Sequence, residues 1–240
     1  NRAGAVTILT VTNTECVDTS GENVDVEFVY INKDDCEETN KTITLTPCDT
    51  FTVISNVHNP QNEQGYVYAF AKNDAGEPIV WNYLVGSLLV VNGLETFDYG
   101  LNPVAYLGLG NEAGIPGEPG DLTDLDGDGL RDLNKREYDA SPDVITIPRF
   151  LGQDTETGPG TIHSQMILIA LSGGKQFDTK VCFLYYNDNE EEFSGEYEFF
   201  CWDKPYLMDM SFGFENDWIQ EWTDHDPDEI LGWREQESGW

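Results

Sequence analysis

Residues 22–31, ENVDVEFVYI, alternate strictly: Val24, Val26, Phe28 and Tyr30 point one way, Asp25 and Glu27 the other. A period of two puts successive side chains on opposite faces of an extended chain. The segment therefore reads as a half-buried antiparallel strand. The same alternation, rich in β-branched and aromatic residues, runs through AVTILTVTN (5–13), KTITLTP (41–47), DTFTVIS (49–55), GYVYAFA (65–71) and PIVWNYLVG (78–86). Polar turns such as NDAGEP (73–78) and VVNGLE (90–95) separate these stretches. Helical periodicity is nearly absent. The expected fold class is all-β, built of antiparallel β-sandwich-like units.

From Leu107 the chain changes character. LGLGNEAGIPGEPGD (107–121) is too rich in Gly and Pro to be a helix or a central strand, and strands are expected to resume at VITIPRF (144–150). We therefore expect a first β-sandwich unit over 1–107, a Gly/Pro-rich linker over 108–142, and a second, shorter β unit over 143–240. The second half also echoes the first. Val26, Phe28, Tyr30 and Asn32 align without gaps onto Val181, Phe183, Tyr185 and Asn187, and Cys48 meets Cys201 after a two-residue deletion. Duplication of one β unit accounts for the match.

Composition narrows the function. The chain has 240 residues, 45 acidic against 12 basic, for a formal charge of −33. Repulsion on that scale opposes compaction unless salt or bound cations offset it. A polyanionic partner needs clustered Lys and Arg, so nucleic acid is excluded. No apolar run is long enough to span a membrane as a helix. The start, NRAGAVTILT, has no signal-peptide pattern, and removal of such a peptide is expected for an exported chain.

The five cysteines, at positions 16, 36, 48, 182 and 201, lack the close pairing of a zinc site. They point to an oxidising, extracytoplasmic setting. Cys182 and Cys201 lie on consecutive strands of the second unit, and a bridge there would contribute roughly 3 kcal/mol. Cys16 follows strand one and Cys48 strand three, which places them at the same end of an up-and-down arrangement. That pairing leaves Cys36 free or bridging subunits. Asn40, in NKT, is a sequon for N-linked sugar.

The most specific motif is DLTDLDGDGLRDLNKREYD (121–139). Numbered from Asp124, carboxylates fall at positions 1, 3, 5 and 9 (Asp124, Asp126, Asp128, Asp132). Gly129 stands at the sharp turn, and Leu130 has a carbonyl available. Calcium takes six to eight hard oxygens, and this spacing supplies them. The stretch 124–135 resembles the calcium loops of EF-hands, and more closely those of dockerins and thrombospondin type 3 repeats. It departs from them at position 12, where Lys135 replaces the bidentate carboxylate; Glu137 or Asp121 is the expected substitute. The expected cofactor is Ca²⁺, in a structural role that fixes the angle between the two units.

Catalytic signatures are missing: no nucleophile elbow, phosphate loop, zinc-protease helix or dinucleotide fingerprint is present. Only three histidines occur, His58, His163 and His225, and His58 is expected in a turn. Near the C terminus Trp218, Trp222, Trp233 and Trp240 lie among acids. Trp233 and Trp240 are the expected contacts to another subunit or to a polysaccharide. Finally, VTILTVTNTEC, VEFVYINKDDC, TLTPCDT, GYVYAFAK, IPRFLGQ and FLYYNDNEEEFSGEYEFFCW resemble a family of exported, acidic, bacterial β-rich surface proteins without assigned function. That resemblance implies export and β architecture, not a reaction. The expectation is a non-enzymatic, extracellular or cell-surface structural protein that assembles with its own copies into a filament or layer. A carbohydrate-binding module is the alternative, and a secreted hydrolase comes after both.

Overall fold

The computed structural model describes residues 4–16, 23–61, 64–93, 97–152, 164–171, 178–187, 190–215, 218–219 and 238–239. The architecture is all-β and antiparallel. The chain divides into two compact units, Asn1–Asn32 with Glu37–Asp143, and Lys33–Cys36 with Val144–Trp240. No helix among the described residues is long and apolar enough to cross a membrane.

The first unit holds β1 (Ala5–Asn13), β2 (Val24–Asn32), β3 (Glu38–Leu45), β4 (Thr50–Ile54), the single helical turn α1 (Ser55–His58), β5 (Gly65–Lys72), β6 (Leu84–Asn92) and β7 (Phe97–Leu101). One sheet runs β4-β1-β6-β7 and the other β3-β2-β5. Alternation decides which side chains meet between them. Val24, Val26, Phe28 and Tyr30 of β2 cluster with Leu9 of β1, Leu45, Ala71 and Ile79, with Val11, Phe51, Val53, Leu84 and Leu88 packed alongside. Full burial of each large apolar side chain contributes roughly 1.5–3 kcal/mol. Asn13 at the end of β1 is completely buried, and its polar atoms are met by the Thr46 carbonyl, the Glu15 N–H and the Trp81 indole N–H.

His58 closes this core from α1 rather than sitting in an open turn. Its ring lies 5.4 Å from Phe28 and 5.5 Å from Phe51, and its Nδ1 is 2.8 Å from the Tyr30 hydroxyl. Burial pushes its pKa down, and the charge of Lys41 pushes the same way. Burial also raises the Tyr30 phenol to about 12.

Two expectations about the middle of the chain need correction. PIVWNYLVG becomes strand only from Leu84; before it, Ile79 and Val80 are buried, Ile79 bridging to Leu122 and Val80 bonding Asp121. Residues 108–142 are not a free-standing linker, because they fold as part of the first unit. The Val80 N–H donates to the Asp121 carbonyl at 2.8 Å, Thr123 N–H to the Pro78 carbonyl at 3.1 Å, and the Asn82 side chain bonds both backbone groups of Gly108. The glycines permit this close approach. A Cβ on Gly117 would stand 2.4 Å from the Leu109 carbonyl oxygen, and one on Gly110, at φ +59°, 2.8 Å from that of Leu122.

The second unit is built, among the described residues, of two-stranded pairs rather than a second sandwich. β10 (Thr179–Tyr186) pairs with β11 (Glu192–Phe199), β12 (Trp202–Asp203) with β9 (Leu168–Ile169), and β13 (Ser238–Gly239) with β8 (Phe150–Leu151). α2 (Leu207–Met210) and a 3-10 turn (Phe212–Phe214) complete it. Phe150, Tyr185, Leu207, Met210, Phe214 and Ile219 form the core, with Tyr185 stacked 4.4 Å from Phe214. VITIPRF is strand only in its last residue; Val144 and Ile145 are largely exposed and no strand pairs with them. The aligned residues Phe28 and Tyr30 on β2, Phe183 and Tyr185 on β10, each belong to their own unit's core cluster.

The disulfides follow the expectation at one end only. Cys16 is bonded to Cys48 with Cα atoms 4.7 Å apart. Cys182 is not bonded to Cys201: Cys201 pairs with Cys36 across 165 residues, and Cys182 is a free, exposed thiol. The register explains why. Cys182 faces Glu196 across the β10–β11 ladder on the outer side, whereas Cys201 lies beyond the end of β11 and is fully buried. Cys36 is thus neither free nor available for a bond between subunits. Residues 33–36, in the turn after β2, belong by their contacts to the second unit.

Candidate metal centre

The acidic loop is wound by its own carboxylates. Asp124 accepts from Gly127 N–H at 2.7 Å through Oδ1 and from Gly129 N–H at 3.0 Å through Oδ2. Asp126 accepts from Asp128 N–H, and Asp128 from Leu130 N–H at 2.7 Å. Side chains that bond the backbone two residues on make Asx turns, the local reason Asp at alternate positions curls the chain. Gly127 and Gly129, at φ +77° and +80°, take the left-handed conformation that these turns require and that a Cβ would disfavour. Carboxylate atoms of Asp124, Asp126 and Asp128 lie within 4.8 Å of one another.

Glu137 anchors the ends of the loop. It is almost fully buried; its Oε1 accepts from Leu125 N–H at 2.8 Å and its Oε2 from Asp132 N–H at 3.1 Å. The turn that returns Glu137 uses Lys135 at φ +65°, with Lys135 N–H donating to the Tyr138 carbonyl and Tyr138 N–H to the Asp132 carbonyl. Asn134 caps it by accepting from the N–H groups of Arg136 and Glu137. Two residues beyond the usual position 12 are thus absorbed in a tight turn.

Of the sequence-predicted ligands, the structure brings together Asp124, Asp126 and Asp128. Asp132 instead takes the Asn134 amide at 3.3 Å, Glu137 is engaged with backbone, and Leu130 is exposed. The converging donors are all carboxylate oxygens, which fits a hard divalent cation and not a soft one. The group is able to hold a metal ion.

Sequence reasoning missed Arg131. Its guanidinium donates to the Gly129 carbonyl at 3.1 Å and to the Tyr68 hydroxyl at 3.2 Å, and stacks 4.7 Å above the Phe70 ring. It pins the loop to β5. Burial pushes the Tyr68 phenol up, partly countered by the Arg131 charge. The only signal for this was the alternation that puts Tyr66, Tyr68 and Phe70 on one face of β5. Tyr138 bonds Thr123 at 3.1 Å.

Asn40 is exposed on edge strand β3. Trp233 and Trp240, the expected subunit or glycan contacts, lie outside the described residues, as do His163 and His225. No protein-family model matches the chain, and neither a curated protein nor a solved structure matches it.

Proposed function

We propose that the chain is an extracellular, calcium-stabilised structural protein of the cell surface that assembles with copies of itself. The observation that supports this reading is the convergence of Asp124, Asp126 and Asp128 on a loop curled by its own carboxylate-to-backbone hydrogen bonds. These three side chains would hold Ca²⁺, with water completing its oxygen shell. The ion would supply positive charge among carboxylates that otherwise repel.

The loop's bonds to β5 and to residues 78–80 give calcium a role within the first unit rather than between the units. Two disulfides support an oxidising, exported setting. The resemblance to exported acidic surface proteins points the same way, and the lack of catalytic motifs is in keeping with a structural role. The test is particle size, by light scattering and negative-stain imaging of the intact chain in millimolar calcium and in chelator. The reading predicts filaments, layers or larger particles in calcium. Monodisperse monomer in both buffers at high protein concentration would overturn it.

A further inference from the structure

We propose that the outer face of the β4-β1-β6-β7 sheet is the surface through which two copies of this chain meet, an inference that rests on the self-assembly reading above. Register places thirteen positions on that face. Ile54, Ile8 and Leu89 form one row and Val6 and Val91 the next. Thr52, Thr10 and Ser87, then Thr50, Thr12 and Val85, follow, and Asp98 and Gly100 of β7 complete it. Val85 is 58% exposed, and Val6, Ile54, Leu89 and Val91 are each exposed as well. Contiguous exposed apolar side chains of this kind mark contact surfaces.

Charge identifies the occupant. Charged residues make up 24% of the chain and sum to −33, yet twelve of the thirteen outward positions are uncharged, the exception being Asp98 on edge strand β7. The outer face of the β3-β2-β5 sheet, by contrast, carries Asp25, Glu27, Glu38 and Lys72. Two copies of a polyanion repel wherever their acidic surfaces meet. A cationic partner would seek those acids, not this face. Of the two outer sheet faces of the first unit, the neutral one is where like-charged copies touch at little electrostatic cost.

Threonine hydroxyls there are already paired, Thr10 with Thr52 at 3.2 Å and Thr12 with Thr50 at 2.9 Å. They need no partner from across an interface. Two strands of nine residues and two of five, about 4.8 Å apart and rising about 3.4 Å per residue, present roughly 450 Å² in plan. Two such faces bury roughly 900 Å², at the small end of interface sizes, so the contact is weak and reversible. A sheet face that meets its own copy does so about a two-fold axis.

The experiment is sedimentation velocity of the intact chain in calcium over about a thousandfold concentration range, with Leu89→Asp, Leu89→Lys, Ile54→Asp and, off the face, Leu184→Asp. Circular dichroism and melting confirm that each variant is folded. The inference predicts that Leu89→Asp and Ile54→Asp shift the association midpoint at least tenfold upward, that Leu184→Asp does not, and that mixing Leu89→Asp with Leu89→Lys restores association. If the parent associates and the face variants match it, or Leu184→Asp weakens association equally, this surface is not the interface, and the self-assembly reading stands. If the parent stays monomeric throughout, both fall together.

Discussion

Glu137 and Asp126 are both acidic residues of the same loop, yet their surroundings assign them different work. Glu137 is buried with each oxygen accepting a backbone N–H, so Glu137→Gln turns an amide donor toward a donor. The expected loss is about 1–3 kcal/mol of stability, in chelator as much as in calcium. Asp126 is exposed and sits among like charges. Asp126→Asn is therefore neutral or slightly stabilising in chelator and weakens calcium binding; paired chemical melts in the two buffers separate the cases. His58 makes a third prediction at this scale. Its folded pKa lies below the ordinary value, so the folded chain binds fewer protons than the unfolded chain just below that value. The stability it contributes is complete above about pH 6.5 and is lost as pH falls through its folded pKa. The margin of the parent over His58→Gln in melting temperature is expected to shrink between pH 7.5 and pH 5. A margin that stays constant would contradict the assignment.

Among the elements, strands that alternate over a full core face were legible: β1 and β4 lie within the segments that alternation marked, and β2 and β5 overrun theirs by one residue. Two kinds of segment were not. VITIPRF alternates, but alternation states only what a strand would bury and cannot supply the neighbour that completes its ladder. The Gly/Pro-rich stretch misled in the other direction. Its glycines read as breakers, whereas Gly110 and Gly117 let backbone approach backbone where a Cβ would collide. The aspartate spacing of the loop was legible because Asx turns are local chemistry. Arg131 was not, because its partners lie some sixty residues away on β5. Fastening the loop to that strand is an element-scale claim. Arg131→Ala removes the stack on Phe70 and two hydrogen bonds, so amide exchange at residues 124–137 should quicken at least tenfold while β1 and β2 stay protected. Unchanged exchange in the loop would show that Arg131 merely rests on the ring.

At the scale of the whole molecule, the disulfide pattern carries the largest difference from expectation. A bridge from Cys36 to Cys201 closes a loop of 165 residues and joins the turn after β2 to the end of the β11 region. Cleavage at a protease site inserted after Asp143, in an exposed segment, would leave two fragments still linked on a non-reducing gel and separated by reductant. The alternative Cys182–Cys201 bond would release them without reductant. Net charge belongs to this scale as well. At −33, any cation screens repulsion, so stabilisation by calcium counts as binding only where magnesium at equal ionic strength fails to reproduce it.

The central claim, that Asp124, Asp126 and Asp128 hold calcium, is tested most directly by isothermal titration of the chelator-treated chain with calcium, beside Asp124→Ala/Asp128→Ala. The account predicts one site with a dissociation constant of roughly 10⁻⁴ to 10⁻³ M, lost in the double variant. Equal heats from both proteins would contradict it.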